Sequence, residues 1–508
     1  MKSIGEASTK GTRFTRRRFL AGVGAGATYL ALMNSAGCAL RERTSQASLV
    51  QGVSSASPNG AWAFRSRPEL SPPRVNVVKE AHDGTATGYI FVSPDMGDAG
   101  QGGALIIDDR GQVVWFRPTQ VRAMDLKVQN YRGNPVLTWG ETSGEYVIFD
   151  HSYREIARLR AGAGYKGDHH EFLITPQDTA LITIYDPAPS DLTAVGGPER
   201  GVAWQGIIQE LDIETGDVLF EWHSLDHVDL EETYTHPDEH HDRHGIDYFH
   251  INSIDVDHDN NLLVSARGTS AVYKVDRATG EILWRLGGKQ SDFEMGPNTK
   301  FAYQHDARRQ PDGTITIFDN GATVFENGYP KAVEESRAIV LELDEERMNA
   351  TLVREYTHPG KLHADAAGNM QVLPNTNVLI GWGRALNFSE FSKDGELLFD
   401  ARLPTGNKSY RAFRFPWNAR PTDRPAAVAE RTSENEVRVY ASWNGATEVA
   451  TWEVLAGPRP DQLELLASVP RNGFETGIVV RTTRRYLAAR ARDSSGEVLG
   501  TTAAIEPL

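Results

Sequence analysis

Three histidines stand at matching distances before a recurring strand motif of this 508-residue chain. His170 lies nine residues before Thr179, and His305 lies nine residues before Thr314. His250 lies eleven residues before the equivalent position of its own, slightly longer, repeat. If the repeats are equivalent in space, the three rings converge. Convergent imidazoles can bind an anion, bind a metal ion, or act as acid, base and nucleophile.

Two further side chains favour an anion over a metal ion. Arg267 directly follows the strand predicted over residues 262–266, behind His250 in the same repeat. A guanidinium offers a rigid, planar set of donors that suits a tetrahedral oxyanion. Asn252 lies two residues after His250, so it shares a strand face with that histidine. We expect its amide to donate to the anion or to orient His250.

The elements that must position these side chains are predicted to be strands. Alternating apolar runs separated by Asp-Gly and Asn-Gly type turns indicate an all-β fold. One repeated unit, a turn followed by a strand, occurs at residues 109–115, 214–220, 278–284 and 393–399. A second, a loop followed by a strand, occurs at residues 176–183, 259–265, 311–317 and 374–380. This recurrence favours a six-bladed β-propeller over residues 76–422, with the three histidines at the rim of its central channel, rather than a Greek-key β-sandwich.

The segments on either side of this body differ from it. Residues 15–20 (TRRRFL) and the short apolar stretch after them resemble a twin-arginine export signal over residues 1–38, which predicts a periplasmic or cell-surface protein. The single cysteine, Cys38, stands where a lipid anchor could be attached. Residues 39–75 are predicted to be a linker. Fresh alternating strands over residues 423–508 predict a small Ig-like or fibronectin-III-like β-sandwich.

Composition limits the partners. The chain has 53 Lys plus Arg against 68 Asp plus Glu, a formal net charge of −15. Such a charge argues against nucleic acid and against an anionic membrane surface as main partners. An anionic substrate must therefore be held by a local cluster of positive charge.

Several motifs in the same order resemble the arylsulfate sulfotransferase family, in its bacterial and fungal branch. They are residues 168–172 (DHHEF), 248–253 (YFHINS), 284–289 (WRLGGK), 304–308 (QHDAR) and 318–321 (FDNG). The resemblance implies a six-bladed propeller that moves a sulfuryl group from an aryl sulfate to a phenol. It implies no cofactor and no adenylyl sulfate donor (PAPS), and the chain has no complete phosphate-binding Gly-rich loop with Lys and Ser or Thr.

The resemblance also implies a role for each candidate residue. His305 matches the histidine that becomes transiently sulfurylated. His170, His250 and Arg267 match the residues that hold the sulfuryl oxygens, and Asn252 matches the asparagine of the His-x-Asn motif. These roles agree with the chemistry, because sulfuryl transfer needs positioning and stabilisation of charge on equatorial oxygens.

Other interpretations stay open at this stage. His240, His241 and His244 have a spacing that could ligate zinc or copper, although a solvated polar loop is favoured there and no metal is expected in the site. A non-catalytic surface propeller that binds a glycan or a protein partner is the main alternative to an enzyme. An oxidoreductase or lyase would need a fuller set of ligands. Fold alone does not separate these options.

Overall fold

The computed structural model describes residues 48–49, 55–56, 60–237, 245–321, 324–326, 329–331 and 335–508. The all-β prediction is confirmed. Helical structure in the described residues consists of four three-residue 3-10 turns, at Thr193–Val195, Ser224–Asp226, Leu230–Glu232 and Gly383–Ala385. None of the helices in these ranges has the length and apolar character that a membrane crossing requires.

The strands are numbered in chain order. The first nineteen are β1 (Ser48–Leu49), β2 (Ser55–Ala56), β3 (Trp62–Ala63), β4 (Asn76–Lys79), β5 (Tyr89–Val92), β6 (Gly103–Ile107), β7 (Val113–Pro118), β8 (Ala123–Tyr131), β9 (Asn134–Glu141), β10 (Glu145–Phe149), β11 (Glu155–Arg160), β12 (Gly167–Ile174), β13 (Thr179–Ser190), β14 (Gly201–Asp212), β15 (Val218–His223), β16 (Ile251–Val256), β17 (Leu262–Ala266), β18 (Ala271–Val275) and β19 (Ile282–Gly287).

The remaining strands complete the chain. They are β20 (Glu294–Met295), β21 (His305–Arg309), β22 (Ile315–Asp319), β23 (Val324–Glu326), β24 (Tyr329–Lys331), β25 (Arg337–Asp344), β26 (Asn349–Thr357), β27 (Asn369–Val372), β28 (Val378–Gly381), β29 (Asn387–Phe391), β30 (Leu397–Arg402), β31 (Ala412–Phe415), β32 (Ala426–Ser433), β33 (Glu436–Ser442), β34 (Thr451–Arg459), β35 (Gln462–Pro470), β36 (Glu475–Arg481), β37 (Tyr486–Arg492) and β38 (Val498–Thr501).

Small antiparallel sheets follow one another along most of the chain, in a propeller-like order. The sheets run β8 to β11, β12 to β15, β16 to β19, β21-β22-β25-β26 with β20 added, and β27 to β30 with β4 added. A sixth sheet has the order β31-β5-β6-β7, so a late strand pairs with an early one and joins the two ends of the series. The edge strands β31, β8, β12, β16, β21 and β27 contact one another in sequence and back to β31. These six strands therefore surround a common axis.

The two repeated sequence units form equivalent turns in different sheets. The first unit lies between the third and fourth strands of its sheet, as between β14 and β15. There Asp212 accepts hydrogen bonds from the N–H groups of Glu214 and Thr215 at 2.8 and 2.9 Å, and Gly216 adopts a φ of 78°. The second unit lies between the first and second strands. The histidines thus lie on, or directly before, the first strand, and the strand of the second unit is its neighbour.

Part of the predicted linker is folded instead. Residues 39–75 include β1, which pairs with β36, and β2, which pairs with β3. Trp62, Phe64 and Leu70 are buried in the same core as β5 and β6. The Ser- and Pro-rich composition suggested a tether, but these large apolar side chains gain free energy by leaving water. The export segment 1–38, with Cys38, lies outside the described residues.

Residues 423–508 contribute seven strands to two four-stranded sheets with a common core, and β1 (Ser48–Leu49) supplies the eighth strand. Their orders are β1-β36-β33-β32 and β35-β34-β37-β38. Alternate side chains of these strands, among them Val439, Trp452 and Ile478, are buried against each other. The change of character at residue 423 in the sequence therefore coincides with a separate core.

A buried guanidinium links the sheets around the axis. Arg411, directly before β31, is fully buried; it donates to Asp125 of β8 at 2.9 Å and to Glu171 of β12 at 3.1 Å. It also donates to the backbone C=O of Asn252 in β16 at 2.9 Å, and its Nε lies 3.4 Å from Asp306 of β21. One side chain therefore connects five of the six edge strands.

Loss of this charge should destabilise the protein severely. Arg411→Met would leave Asp125, Glu171 and Asp306 buried beside fewer cations, and breaking a buried ion pair on one side costs about 3–5 kcal/mol. We expect a clearly lower thermal unfolding temperature. The control is Arg485→Met, which removes an exposed pair with Glu506 and should change stability by less than about 1 kcal/mol. Equal unfolding temperatures for the two variants would contradict this account.

Candidate functional site

A cavity of about 490 Å³ opens at one end of the axis, and it contains the predicted histidines. Its lining comprises Arg122, Met124, His170, Asp247, His250, Arg267, His305, Asp365, Ala366, Ala367, Arg384, Lys408, Ser409 and Tyr410. The structure thus brings together four side chains: His170 of β12, His250 directly before β16, Arg267 in the turn after β17, and His305 of β21. The rings of His170 and His250 are 5.3 Å apart, and those of His305 and Tyr410 are 6.2 Å apart.

Irregularities in the edge strands aim these side chains at the cavity. The register against the second strand shifts in β12, β16 and β21, and β8 has the same irregularity. His250 and Asp306 adopt positive φ values of 53° and 55° at these points. A bulge re-aims side chains and ends regular pairing, and bulges are common beside active sites. In β21, for example, His305 lines the cavity while the next residue, Asp306, forms buried ion pairs with Arg308 and Arg411.

The hydrogen bonds of His305 define which ring nitrogen carries the proton. Its Nδ1 lies 2.7 Å from Oδ1 of Asn320 and 3.1 Å from the C=O of Tyr303, both of which are acceptors. The amide of Asn320 is itself oriented, because its Nδ2 donates to the C=O groups of Ala364 and Ala367, each at 2.8 Å. Nδ1 must therefore be the protonated nitrogen, and Nε2 keeps its lone pair.

The surroundings of His305 favour its neutral form. The side chain is 1% exposed. Burial, reinforced by the nearby His250 and Arg267, holds the pKa of His305 well below its usual range, although the hydrogen bond that its Nδ1–H donates to Asn320 opposes this. Nε2, whose lone pair accepts a long hydrogen bond of 3.3 Å from the backbone N–H of Ala367, is thus the nucleophilic nitrogen of the ring near neutral pH.

The other two histidines each have a carboxylate partner on Nδ1. His250 Nδ1 lies 2.6 Å from Asp247, and His170 Nδ1 is bonded to Asp168. Burial lowers the pKa of His250, and Asp247 opposes that shift. Burial alone would raise the pKa of Asp168, but the adjacent His170 and His169 lower it, so Asp168 is ionised. With Nδ1 bound in this way, each ring presents Nε2 as its free position.

Arg267 is a cation without a carboxylate partner in the described part of the chain. Its guanidinium lies over the ring of Tyr303, 4.8 Å from the centroid. Its buried Nε donates no hydrogen bond there. The buried cations of the described residues are all ion-paired; they are Lys127, Lys274, Arg337, Arg411 and Arg414. An unpaired guanidinium in a cavity of imidazoles is therefore a site for an anion.

Asn252 does not line this cavity. Its fully buried amide donates to the backbone C=O of Gln304 at 2.7 Å, directly before His305. The bulge in β16 turns the side chain along the sheet rather than toward the cavity, so the expected contact with an anion is replaced by a contact that positions β21. His363 is exposed and also lies away from the cavity lining.

Sequence reasoning missed the partners of the histidines. Asp247 stands three residues before His250, and Asp168 two before His170, so local spacing could have revealed both. Asn320 belongs to the 318–321 motif but had no role assigned to it. Tyr410 and Ala367 come from distant segments with no sequence signal.

The described residues contain one group of three potential metal ligands close together, Asp168, His169 and His170, whose ligand atoms lie within 4.8 Å. The hydrogen bond between His170 and Asp168 already engages two of the three. His240, His241 and His244 lie outside the described residues.

Comparison with known proteins defines the class. The sequence model of the arylsulfotransferase (ASST) family matches residues 127–403, more than half of the chain and all four converging side chains. The protein belongs to the arylsulfotransferase family. Membership implies a sulfotransferase that acts on small aryl molecules. A search of curated proteins found no similar sequence.

Solved structures resemble the chain only distantly. A protein of unknown function from Bacteroides caccae is 13% identical, with a TM-score of 0.39, over 64% of this chain and 98% of its own. A virginiamycin B lyase from Staphylococcus aureus is 8% identical, with a TM-score of 0.34, over 80% and 99%. The hydrazine synthase of Kuenenia stuttgartiensis is 13% identical, with a TM-score of 0.34, over 68% and 88%.

The lowered pKa of His305 predicts the acidic limb of the activity profile. A nucleophile whose pKa lies below the ordinary value of about 6.5 stays neutral until the solution is more acidic than that. We expect kcat/KM for an aryl sulfate to be constant from about pH 8 to 6.5 and to fall only below this range. Circular dichroism at each pH serves as the control for folding. A half-maximal loss above about pH 7 in folded protein would be inconsistent with a buried neutral nucleophile.

Proposed function

We propose that the protein is a PAPS-independent aryl sulfate:phenol sulfotransferase that works in two steps through a sulfohistidine at His305, in a six-bladed propeller followed by an Ig-like domain. The observation that carries the proposal is a neutral imidazole of fixed tautomer, His305, beside the unpaired cation Arg267. A neutral nucleophile and a free cation are what transfer of an anionic group requires.

In the first step, the Nε2 lone pair of His305 attacks the sulfur of an aryl sulfate. The N–S bond forms while the bond between sulfur and the aryl oxygen breaks, and the electron pair leaves with the aryl oxide. Nδ1 keeps its proton, so the ring carries a positive charge that offsets the charge of the attached sulfuryl group. Asn320 accepts the Nδ1–H bond, which strengthens as that charge develops.

In the second step, an acceptor phenol attacks the same sulfur and His305 leaves as a neutral imidazole. The phenol proton passes to Nε2 of His250, whose imidazolium is stabilised by Asp247 at 2.6 Å. This proton can protonate the leaving aryl oxide in the next turnover, so protons balance over the cycle. Arg267 donates hydrogen bonds to the equatorial oxygens in both steps, and the ring of His170 lies beside the same group.

Loss of the nucleophile should abolish transfer and the covalent intermediate together. We expect His305→Ala to release no phenol from a chromogenic aryl sulfate and to show no added sulfuryl mass on the intact protein. The wild type should show the adduct without acceptor and lose it when a phenol is added. His363→Ala, an exposed histidine outside the cavity, is the control. Turnover by His305→Ala at the wild-type rate would overturn the assignment and favour a binding role for the protein.

Loss of the unpaired cation should weaken the transition state and leave the fold intact. We expect Arg267→Ala to lower kcat/KM by about 100- to 1,000-fold, as removal of one oxyanion donor does in other enzymes. Stability should not fall, since Arg267 has no ion pair to lose in the described residues. Arg347→Ala, at an exposed guanidinium outside the cavity lining, is the control. An unchanged kcat/KM in Arg267→Ala would remove this residue from the site.

We also infer that residues 1–38 direct export by the twin-arginine route to the periplasm or cell surface, with Cys38 as a lipid attachment point. The supporting observation is the order of basic, apolar and small residues in this segment. Fractionation of cells that produce the full chain, with detergent partition for the lipid, tests both parts. Protein retained in the cytoplasm would contradict the inference.

A further inference from the structure

Three cations lie at the mouth of the cavity, apart from the groups that would carry out the transfer. The side chains of Arg122, Arg384 and Lys408 are 42%, 49% and 36% exposed, whereas His305 at the base is 1% exposed. All four line the same cavity. These exposed fractions indicate that the three cations lie near the opening of the cavity and that His305 lies deeper.

These mouth cations are not balanced by carboxylates. Nε of Arg122 lies 2.5 Å from one oxygen of Asp95, and Nζ of Lys408 lies 3.8 Å from the other oxygen of that same carboxylate. Arg384 pairs with Asp365 at 2.8 Å. Three cations thus share two carboxylates, in a chain whose net charge is −15. The mouth is a local positive patch in a protein of negative net charge.

Lys408 is the least satisfied of the three. Its Nζ donates no hydrogen bond to the described residues. Asp95, the carboxylate paired with it, is 3.8 Å away and so beyond hydrogen-bond distance, and Asp365 acts on it only through its charge. Partial burial, together with the charge of Arg384, lowers the pKa of Lys408 from its usual value, while Asp95 opposes the shift. A half-buried ammonium gains from a bound anion, because the anion replaces lost water and offsets the neighbouring guanidinium charges.

We propose that the aromatic substrates of this enzyme carry a carboxylate on the ring or on a short side chain, and that Lys408, with Arg122 and Arg384, binds this group at the cavity mouth. The inference rests on the proposed function for the identity of the reacting end. The sulfuryl group or phenol oxygen lies at His305, and the carboxylate points outward. Structural ion pairs alone would not need a third cation.

Two acceptors of nearly the same shape test whether the mouth cations bind a substrate carboxylate or only attract aryl sulfates in general. Para-hydroxyphenylacetate and its amide have nearly the same phenol, but only the first carries the second charge. With para-nitrophenyl sulfate as donor, we expect the wild type to prefer the carboxylate by about fivefold or more in kcat/KM. Lys408→Met should reduce this preference to near unity. Lys393→Met, an exposed lysine outside the cavity lining, should keep it.

Calorimetric binding of the two acceptors keeps the inference separate from the proposed function. If no sulfuryl transfer occurs but the carboxylate binds more tightly through Lys408, the proposed function is wrong and the mouth site stands. Sulfuryl transfer with equal kcat/KM and equal Kd for carboxylate and amide overturns the mouth site and leaves the proposed function intact. A preference that persists in Lys408→Met also overturns it.

Discussion

The buried guanidinium of Arg411 is the interaction on which the site depends. Its partners come from β8, β12, β16 and β21, and its own position before β31 brings the late strand of the closing sheet to the axis. Tyr410, the preceding residue, then lines the cavity beside His305. The edge strands are bulged at these residues and do not form a regular hydrogen-bond ladder there. Ion pairs between charged side chains link the strands instead. The floor of the cavity is therefore formed by the ion pairs that join neighbouring sheets.

Beneath the floor of the histidine cavity, each cation forms an ion pair with a carboxylate, whereas Arg267 in that cavity does not form one with any described residue. Lys127 bonds Asp125 and Glu171 at 2.6 Å each, and Arg308 bonds Glu171 and Asp306. A second cavity of about 710 Å³, lined in part by Lys127, Asp306 and Arg308, lies against this network. Since every cation there has a carboxylate, that cavity holds no free positive charge for an anion. Arg267, with no such partner in the described residues, makes the upper cavity the one that attracts an anion.

The sequence predicted those parts of the site that depend on local spacing, and it missed those that depend on contacts between distant segments. The spacing of His170, His250 and His305 before the repeated unit reflects equivalent strands, so their convergence was predictable. Asn252 was placed on the wrong side because strand alternation assumes a regular strand, and β16 is bulged at that residue. Tyr410 and the mouth cations come from segments far apart in the chain, and only the packed sheets bring them together. The folding of residues 60–75 was missed because the Ser- and Pro-rich composition was given more weight than three large apolar side chains, Trp62, Phe64 and Leu70.

In the proposed mechanism, the distribution of charge along the depth of the cavity lets one pocket serve both steps. Three protonated imidazoles beside Arg267 would repel one another and could not supply a nucleophile; burial keeps the pKa of His305 and of His250 low and avoids this. The positive charge needed by the anion is therefore permanent, on guanidinium groups, while the imidazoles stay free to exchange a sulfuryl group or a proton. The ring of His250 is held by a carboxylate, Asp247, whereas the ring of His305 is held by a neutral amide, Asn320. A carboxylate stabilises an added proton, so His250 can accept one, while His305 keeps its Nε2 lone pair. This difference in partners assigns the base and the nucleophile within one set of similar residues.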